Sequence, residues 1–277
     1  MHTSTATPSA VHPPTLTAPD FIRLKKSHRK ISMITCYDAT FARILAKTAI
    51  DCVLVGDSCA MVVYGEKTTI PATVAMIAHH VHAVRKGLPQ VFLIADMPFL
   101  SHRKGIPSAV EAAGELMQAG ADAIKLEGLD GHEEVIAHLV RSGIPVMGHL
   151  GLTPQSYHTL GGYKVQGRGT SAAEQLKIQA QELERLGCFS IVLECIPETL
   201  GGEIARSLAI PVIGIGAGRE VDGQVLVLHD LLGLTEFKTT FVRRYMEGAS
   251  LVEQALNDYC RDITTGSFPA ASEVFNI

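Results

Sequence analysis

The sequence has no C-x-x-C pair, no run of Lys or Arg longer than two residues and no apolar stretch of membrane-spanning length. The first absence argues against a structural zinc site or a redox dithiol. The second, together with a net charge of −4, removes the electrostatic footprint that nucleic acid or anionic lipid requires. The third excludes an inserted helix, which takes roughly 20 apolar residues. The opening, MHTSTATPSAVHPPTLTAPD, lacks both a basic segment leading into an apolar one and the arginines of a transit peptide. We therefore expect a cytoplasmic protein with residues 1–20 as a flexible extension. Small molecules and identical subunits are the expected partners, with no nucleic acid and no membrane. The six cysteines fall mostly in apolar, strand-like segments and read as reduced, buried thiols.

The chain does have ample material for a core: 47% of its 277 residues are hydrophobic, and one barrel of about 250 residues would nearly fill it. From Lys30 onward, short β-branched runs alternate with longer segments of helical period, as in a parallel sheet covered by helices. Eight strands are predicted, over 31–38, 52–58, 91–97, 121–128, 145–150, 190–196, 211–216 and 225–229. Helices are expected between most of them, for example over 108–119 and 171–186, stopped by Gly120 and Gly187. The fold class is α/β: a single (β/α)8 barrel of the TIM type over residues 21–277, ending in C-terminal helices. The short link between the last two strands keeps an open doubly wound sheet as the alternative. A long irregular stretch, 152–169, follows strand five and would lie over the barrel's active face.

Strands buried on both faces should read as unbroken apolar runs, so a charge at the end of one needs a partner, solvent or a ligand. Five strands carry such residues: Asp57 with Ser58 after strand two, Asp96 after strand three, Lys125 and Glu127 on strand four, His149 on strand five and Glu194 on strand six. In a barrel all would gather at the C-terminal face, where such enzymes place their chemistry. Lys125 and Glu127, two residues apart, share a face. Two aspartates on neighbouring strands, with a third carboxylate one strand on, suit a hard cation such as Mg²⁺. The competing reading is a structural ion-pair network in which Lys125 neutralises Asp96 and Glu127. His149 reads equally as a core histidine or a substrate contact, and Glu194 could be held by a structural hydrogen bond.

Other signals are weaker. Gly214, Gly216 and Gly218 do not match the dinucleotide fingerprint and read as a tight turn. His79, His80 and His82 lack the i, i+4 spacing of helical metal ligands and read as surface or packing residues. Tyr163, Lys164 and Arg168 lie in the long loop, as solvated residues or as part of a mobile lid.

The segments VLVGDS (53–58), LIADMPF (93–99), IKLEG (124–128), GHLGLTPQS (148–156), GGYKVQGR (161–168), VLECIP (192–197) and IPVIGIGAG (210–218) together resemble the ketopantoate hydroxymethyltransferase family. The likeness runs from about Ile31 to Tyr245. It implies transfer of a one-carbon unit from 5,10-methylenetetrahydrofolate to 3-methyl-2-oxobutanoate, giving 2-dehydropantoate for pantothenate and coenzyme A synthesis, with Mg²⁺ as the metal. By position, the resemblance makes Asp57 and Asp96 metal ligands that also meet the substrate, with Glu127 completing the metal site directly or through water. Ser58 and Lys125 would hold the substrate carboxylate, His149 would contact the substrate and Glu194 would be the general base. Homo-oligomers, decamers built from pentamers, are implied as well. The chain departs from the family pattern at Cys59-Ala60, at Leu129 and over 236–240, the last a stretch where folate binding or subunit packing would feel the change. The alternatives are another Mg²⁺-dependent barrel lyase or mutase acting on 2-oxo acids, and a non-catalytic barrel subunit.

Overall fold

The computed structural model describes residues 15–275. Eight parallel strands close into a barrel in sequence order: β1 (Ile31–Thr35), β2 (Cys52–Val55), β3 (Phe92–Asp96), β4 (Ala123–Glu127), β5 (Val146–Gly151), β6 (Ser190–Glu194), β7 (Val212–Ile215) and β8 (Gly223–Leu226), with β8 pairing back onto β1. The open-sheet alternative is thereby excluded. Helices Val74–Gly87, Ile106–Gln118, Glu133–Arg141, Thr170–Arg185 and Glu198–Ser207 provide the crossovers between β2 and β7. Each buries an apolar stripe, such as Ala109, Ala112, Ala113 and Leu116 on one helix, and leaves its other side to solvent.

Strand eight lies two residues earlier than the β-branched pattern predicts. Gly223 breaks that pattern, but it is also what lets the barrel close: a Cβ there would lie 2.5 Å from the carbonyl oxygen of Ile31. The predicted end of the strand, around His229, instead belongs to a short helix, Leu228–Leu231.

The boundary of the expected N-terminal extension also moves. Residues 1–14 lie outside the described residues, but Ala18–Lys26 is a helix rather than the tail of a flexible segment. Asp20 accepts from the Thr17 backbone N–H at 2.7 Å, and a proline sits in the first turn, both favourable at a helix start. This helix carries Phe21, fully buried, whose ring stands 5.0 Å from that of Phe92 and 5.2 Å from that of Phe189. Phe92 opens β3 and Phe189 immediately precedes β6, so the aromatic cluster fills the N-terminal end of the barrel. Met33, Leu54, Ile94, Met147, Val192 and Val225 continue the core from there.

The chain forms two compact units, one ending at Val227 and containing the whole barrel, the other beginning at Leu228. The barrel therefore stops well short of the C-terminus. The second unit includes the 18-residue helix Gly248–Thr265. Among the described residues no helix is long and apolar enough to cross a membrane.

Candidate active site

Strand register gathers the charged residues. Asp96 pairs with Lys125 across β3 and β4, Glu127 with His149 across β4 and β5, and Gly151 with Glu194 across β5 and β6. Asp96, Glu127 and Glu194 are the last residues of their strands, so all face the C-terminal end, opposite the Phe21 cluster. The Lys125 ammonium lies 2.8 Å from Asp96 Oδ1 and 3.3 Å from His149 Nδ1. The His149 ring spans two carboxylates, with Nδ1 3.5 Å from Glu127 Oε1 and Nε2 3.3 Å from Glu194 Oε2. Asp57 joins from the loop after β2, its backbone N–H donating to Asp96 Oδ2 at 2.9 Å. Ser58 Oγ is 2.8 Å from the hydroxyl of Tyr37. Asp57, Asp96, Lys125, Glu127, His149 and Glu194 thus form one connected cluster, with Ser58 beside it in sequence after Asp57.

Burial sets Glu194 apart from the others. Asp57, Asp96, Lys125, Glu127 and His149 are at most 4% exposed, whereas the Glu194 side chain keeps 16% of its surface open. Burial, followed by the charges of Asp96 and Glu127, pushes the Asp57 carboxyl well above the usual range, against the opposing pull of Lys125 and Gln155. Burial raises Asp96 too, opposed by Lys125. Burial disfavours charge on Lys125, but Asp96, Glu127 and Asp57 outweigh it and hold the ammonium above the ordinary lysine range. Burial likewise opposes charge on Glu127, yet His149 and Lys125 hold its carboxyl below the usual range. His149 is raised to about 9: burial and Lys125 oppose its charge, and Glu127 with Glu194 overcome them.

Backbone geometry places Glu194. Gly151 has φ +90, and a Cβ on it would meet the Glu194 carbonyl oxygen at 2.3 Å, so only glycine permits this approach of β5 to β6. The Leu152 N–H then donates to that carbonyl at 2.8 Å. Cys195 follows with φ 47, a costly left-handed conformation for a residue with a side chain.

The loop after β5 is more ordered than its composition predicts. It forms a 3₁₀ turn, Pro154–Ser156, and a short helix, Tyr157–Leu160. Tyr163 stacks near Tyr157, with ring centroids 5.0 Å apart, and its hydroxyl reaches Met61 Sδ at 3.5 Å. Burial first, then the neighbouring Tyr157 and the carboxylates of Glu194, Asp57 and Glu127, raises the Tyr163 phenol to about 12. Lys164 and Arg168 are exposed. On the helix Val74–Gly87, His79 and His82 face solvent while His80 is buried. His80 Nδ1 lies 2.6 Å from the Tyr37 carbonyl oxygen and its Nε2 3.1 Å from the Tyr64 hydroxyl, a packing role that supports Tyr37.

Two participants escape a search for charges at strand ends. Tyr37 lies just beyond β1, and Gln155 is neutral, yet it touches two of the carboxylates. The Gln155 backbone N–H donates to Glu127 Oε2, and its side-chain Nε2 to Asp57 Oδ2, both at 2.9 Å. Gln155 lies in the segment GHLGLTPQS (148–156), where an uncharged amide in a loop conflicts with nothing around it.

Among the described residues no three His, Cys, Asp or Glu side chains stand close enough to ligate one ion together. That arrangement is still compatible with Mg²⁺, which typically takes one or two protein carboxylates and keeps several waters. Asp57 and Asp96, buried side by side with more negative charge than Lys125 offsets, offer the hard oxygen donors such an ion takes. Glu127 is separated from Asp57 by the bridging Gln155.

Among solved structures, the fold is similar to phosphonopyruvate hydrolase in complex with oxalate and Mg²⁺, with a TM-score of 0.62 and 12% identity, covering 93% of each chain. It is also similar to 2,3-dimethylmalate lyase, with a TM-score of 0.61 and 16% identity, covering 89% of each chain. At these identities the likeness concerns the barrel alone. Sequence relatives are much nearer. A 3-methyl-2-oxobutanoate hydroxymethyltransferase of Coxiella burnetii is 52% identical over 256 residues, covering 92% of this chain and 96% of the relative. One of Bdellovibrio bacteriovorus is 50% identical over 258 residues, covering 93% and 98%. The model of the family described as ketopantoate hydroxymethyltransferase matches residues 15–271, and with relatives this near along almost their whole length, the chain belongs to that family.

Proposed function

We propose that the chain transfers a hydroxymethyl group from 5,10-methylenetetrahydrofolate to 3-methyl-2-oxobutanoate, forming 2-dehydropantoate for pantothenate synthesis. The observation that carries this reading is the continuous line of Asp57, Asp96, Lys125, Glu127, His149 and Glu194 across the C-terminal ends of neighbouring strands, five of them buried and the last partly open. Asp57 and Asp96 would hold Mg²⁺, with Glu127, which Gln155 separates from Asp57, contributing through water. Bound there, the ion would polarise the carbonyl of a chelated 2-oxo acid and make its C3 proton more acidic.

The rest of the chemistry belongs to the side chains. Lys125, kept charged by its carboxylate neighbours, supplies a fixed cation for the substrate carboxylate, assisted by the Ser58 hydroxyl. The same charge makes it a poor nucleophile, which disfavours a Schiff-base route. Glu194, the most open acidic side chain of the group, receives the C3 proton. His149, 3.3 Å from Glu194 Oε2, orients that carboxylate and contacts the substrate. C3 then bonds to the methylene carbon as both its C–N bonds to folate break: one water supplies the oxygen of the product hydroxyl, and the C3 proton and the remaining water proton end on the two folate nitrogens, while Tyr163 and the loop after β5 limit access of further water.

Glu194→Gln should abolish exchange of the C3 hydrogen for deuterium while preserving keto-acid binding. Unchanged exchange would remove Glu194 as the base. A product yield indifferent to methylenetetrahydrofolate, with formaldehyde alone sufficing, would favour the lyase or mutase alternative, which rests on the fold alone.

The enzyme is further proposed to act in the cytoplasm, where its six free thiols, Cys260 among them exposed, would stay reduced. We also propose that it assembles with copies of itself, as a decamer. Support comes from the helix Gly248–Thr265, on which Val252, Leu256, Tyr259 and Ile263 form one stripe with each residue at least half exposed, an arrangement a solvated helix rarely keeps.

A further inference from the structure

The loop after β5 touches three acidic residues of the site within four positions. Leu152 N–H donates to the Glu194 carbonyl oxygen at 2.8 Å, Gln155 N–H to Glu127 Oε2 at 2.9 Å and Gln155 Nε2 to Asp57 Oδ2 at 2.9 Å. Gln155 is itself 7% exposed. The second hydrogen of its amide goes to the Met97 carbonyl oxygen at 3.0 Å, in the residue that follows Asp96. One buried side chain is thus anchored to the segment after β3, to the loop after β2 and, through its own backbone, to the end of β4.

We propose that Gln155 is a positioning residue for the metal carboxylates. Its amide fixes Asp57 through Oδ2, leaving Oδ1 for the cation or its water shell, and its backbone N–H fixes Glu127 through Oε2, while Glu127 Oε1 is held 3.5 Å from His149 Nδ1. A neutral amide suits the task, because it donates to a carboxylate without adding a charge that would repel a divalent ion. A Lys or Arg would neutralise the site and compete with the metal, and a Glu would add a further repelling carboxylate. The Thr153–Ser156 turn, closed by Ser156 N–H to the Thr153 carbonyl at 2.8 Å, holds both Gln155 donors toward the site. Orientation of ligating carboxylates by such outer hydrogen bonds is worth about 10- to 100-fold in metal affinity.

This inference rests on the reading of Asp57 as a metal ligand, and the test separates the two. Mn²⁺, used as a probe for Mg²⁺, is titrated into the wild-type enzyme, Gln155→Met and Asp57→Asn by calorimetry without substrate, and the metal-free melting temperature is measured for each. Methionine fills the same buried space and keeps the backbone N–H but has no amide donor. Gln155→Met should bind Mn²⁺ at least about 10-fold more weakly and need correspondingly more metal for half-maximal activity. Its kcat at saturating metal should fall by a smaller factor. Normal Mn²⁺ affinity in Gln155→Met, alongside weakened binding in Asp57→Asn, overturns the role given to Gln155, whatever happens to the melting temperature. Normal affinity in both overturns the metal site itself. Should the methionine variant misfold, Gln155→Ala carries the same expectation, since it too keeps the backbone donor.

Discussion

At the scale of single residues, the site is built from charges whose neighbours determine whether they can be tolerated. The five strand-end positions were legible in the sequence because a charge inside an apolar run conflicts with burial and stands out for that reason. Gln155 and Tyr37 were not legible, because an amide and a phenol raise no such conflict and their partners arrive from other strands. His102 is a third silent case. It is fully buried, neither ring nitrogen has a hydrogen-bond partner among the described residues, and its ring lies 4.7 Å from that of His132. Burial, then the neighbouring His132 and Arg103, depresses it to about 3. Below the unfolded value near 6.5 the unfolded chain takes up a proton that the folded chain refuses. Stability contributed by the neutral ring is therefore complete above about 6.5 and drains away as pH falls toward 3, by about 1.4 kcal/mol per pH unit. His102→Phe keeps a ring in the space and removes the titration. Urea unfolding of this variant should show little or no loss at pH 8 and a shallower acid decline than the wild type. An identical acid profile would contradict the assignment.

At the scale of elements, alternation and strand-end punctuation located all eight strands, and errors arose where glycine served closure rather than a turn. Gly223 permits β8 to lie against β1, and Gly151 permits β5 to approach the Glu194 carbonyl; a scale of strand propensity counts both against the strand. The opening helix was hidden for a different reason. Its sequence follows a Thr- and Pro-rich stretch, and the partner for Phe21 is the interior of a barrel not yet made. Gly151→Ala tests how much the β5–β6 approach matters. An added Cβ cannot be accommodated by a flexible side chain, since the atom it meets is backbone, so β5 and β6 must separate near Glu194. Destabilisation of at least about 2 kcal/mol is expected, and kcat should fall more than keto-acid binding weakens. A variant with unchanged kcat would show that Glu194 tolerates this shift.

At the scale of the whole molecule, composition and strand rhythm were enough to select a barrel, while the proposed assembly has its sequence basis in the family resemblance. The proposed assembly would cover the exposed stripe Val252, Leu256, Tyr259 and Ile263. Leu256→Glu places a charge at its centre. Sedimentation should then show smaller species than the wild type at equal concentration, and an unaltered distribution would assign the stripe to something other than self-association. The barrel itself separates two kinds of demand along every strand. Phe21, Phe92 and Phe189 act as a keel at one end, and the acids crowd the deck at the other, with a few residues of strand between them. Catalytic lettering can therefore be rewritten at the deck during evolution or redesign while the ballast below keeps the hull afloat.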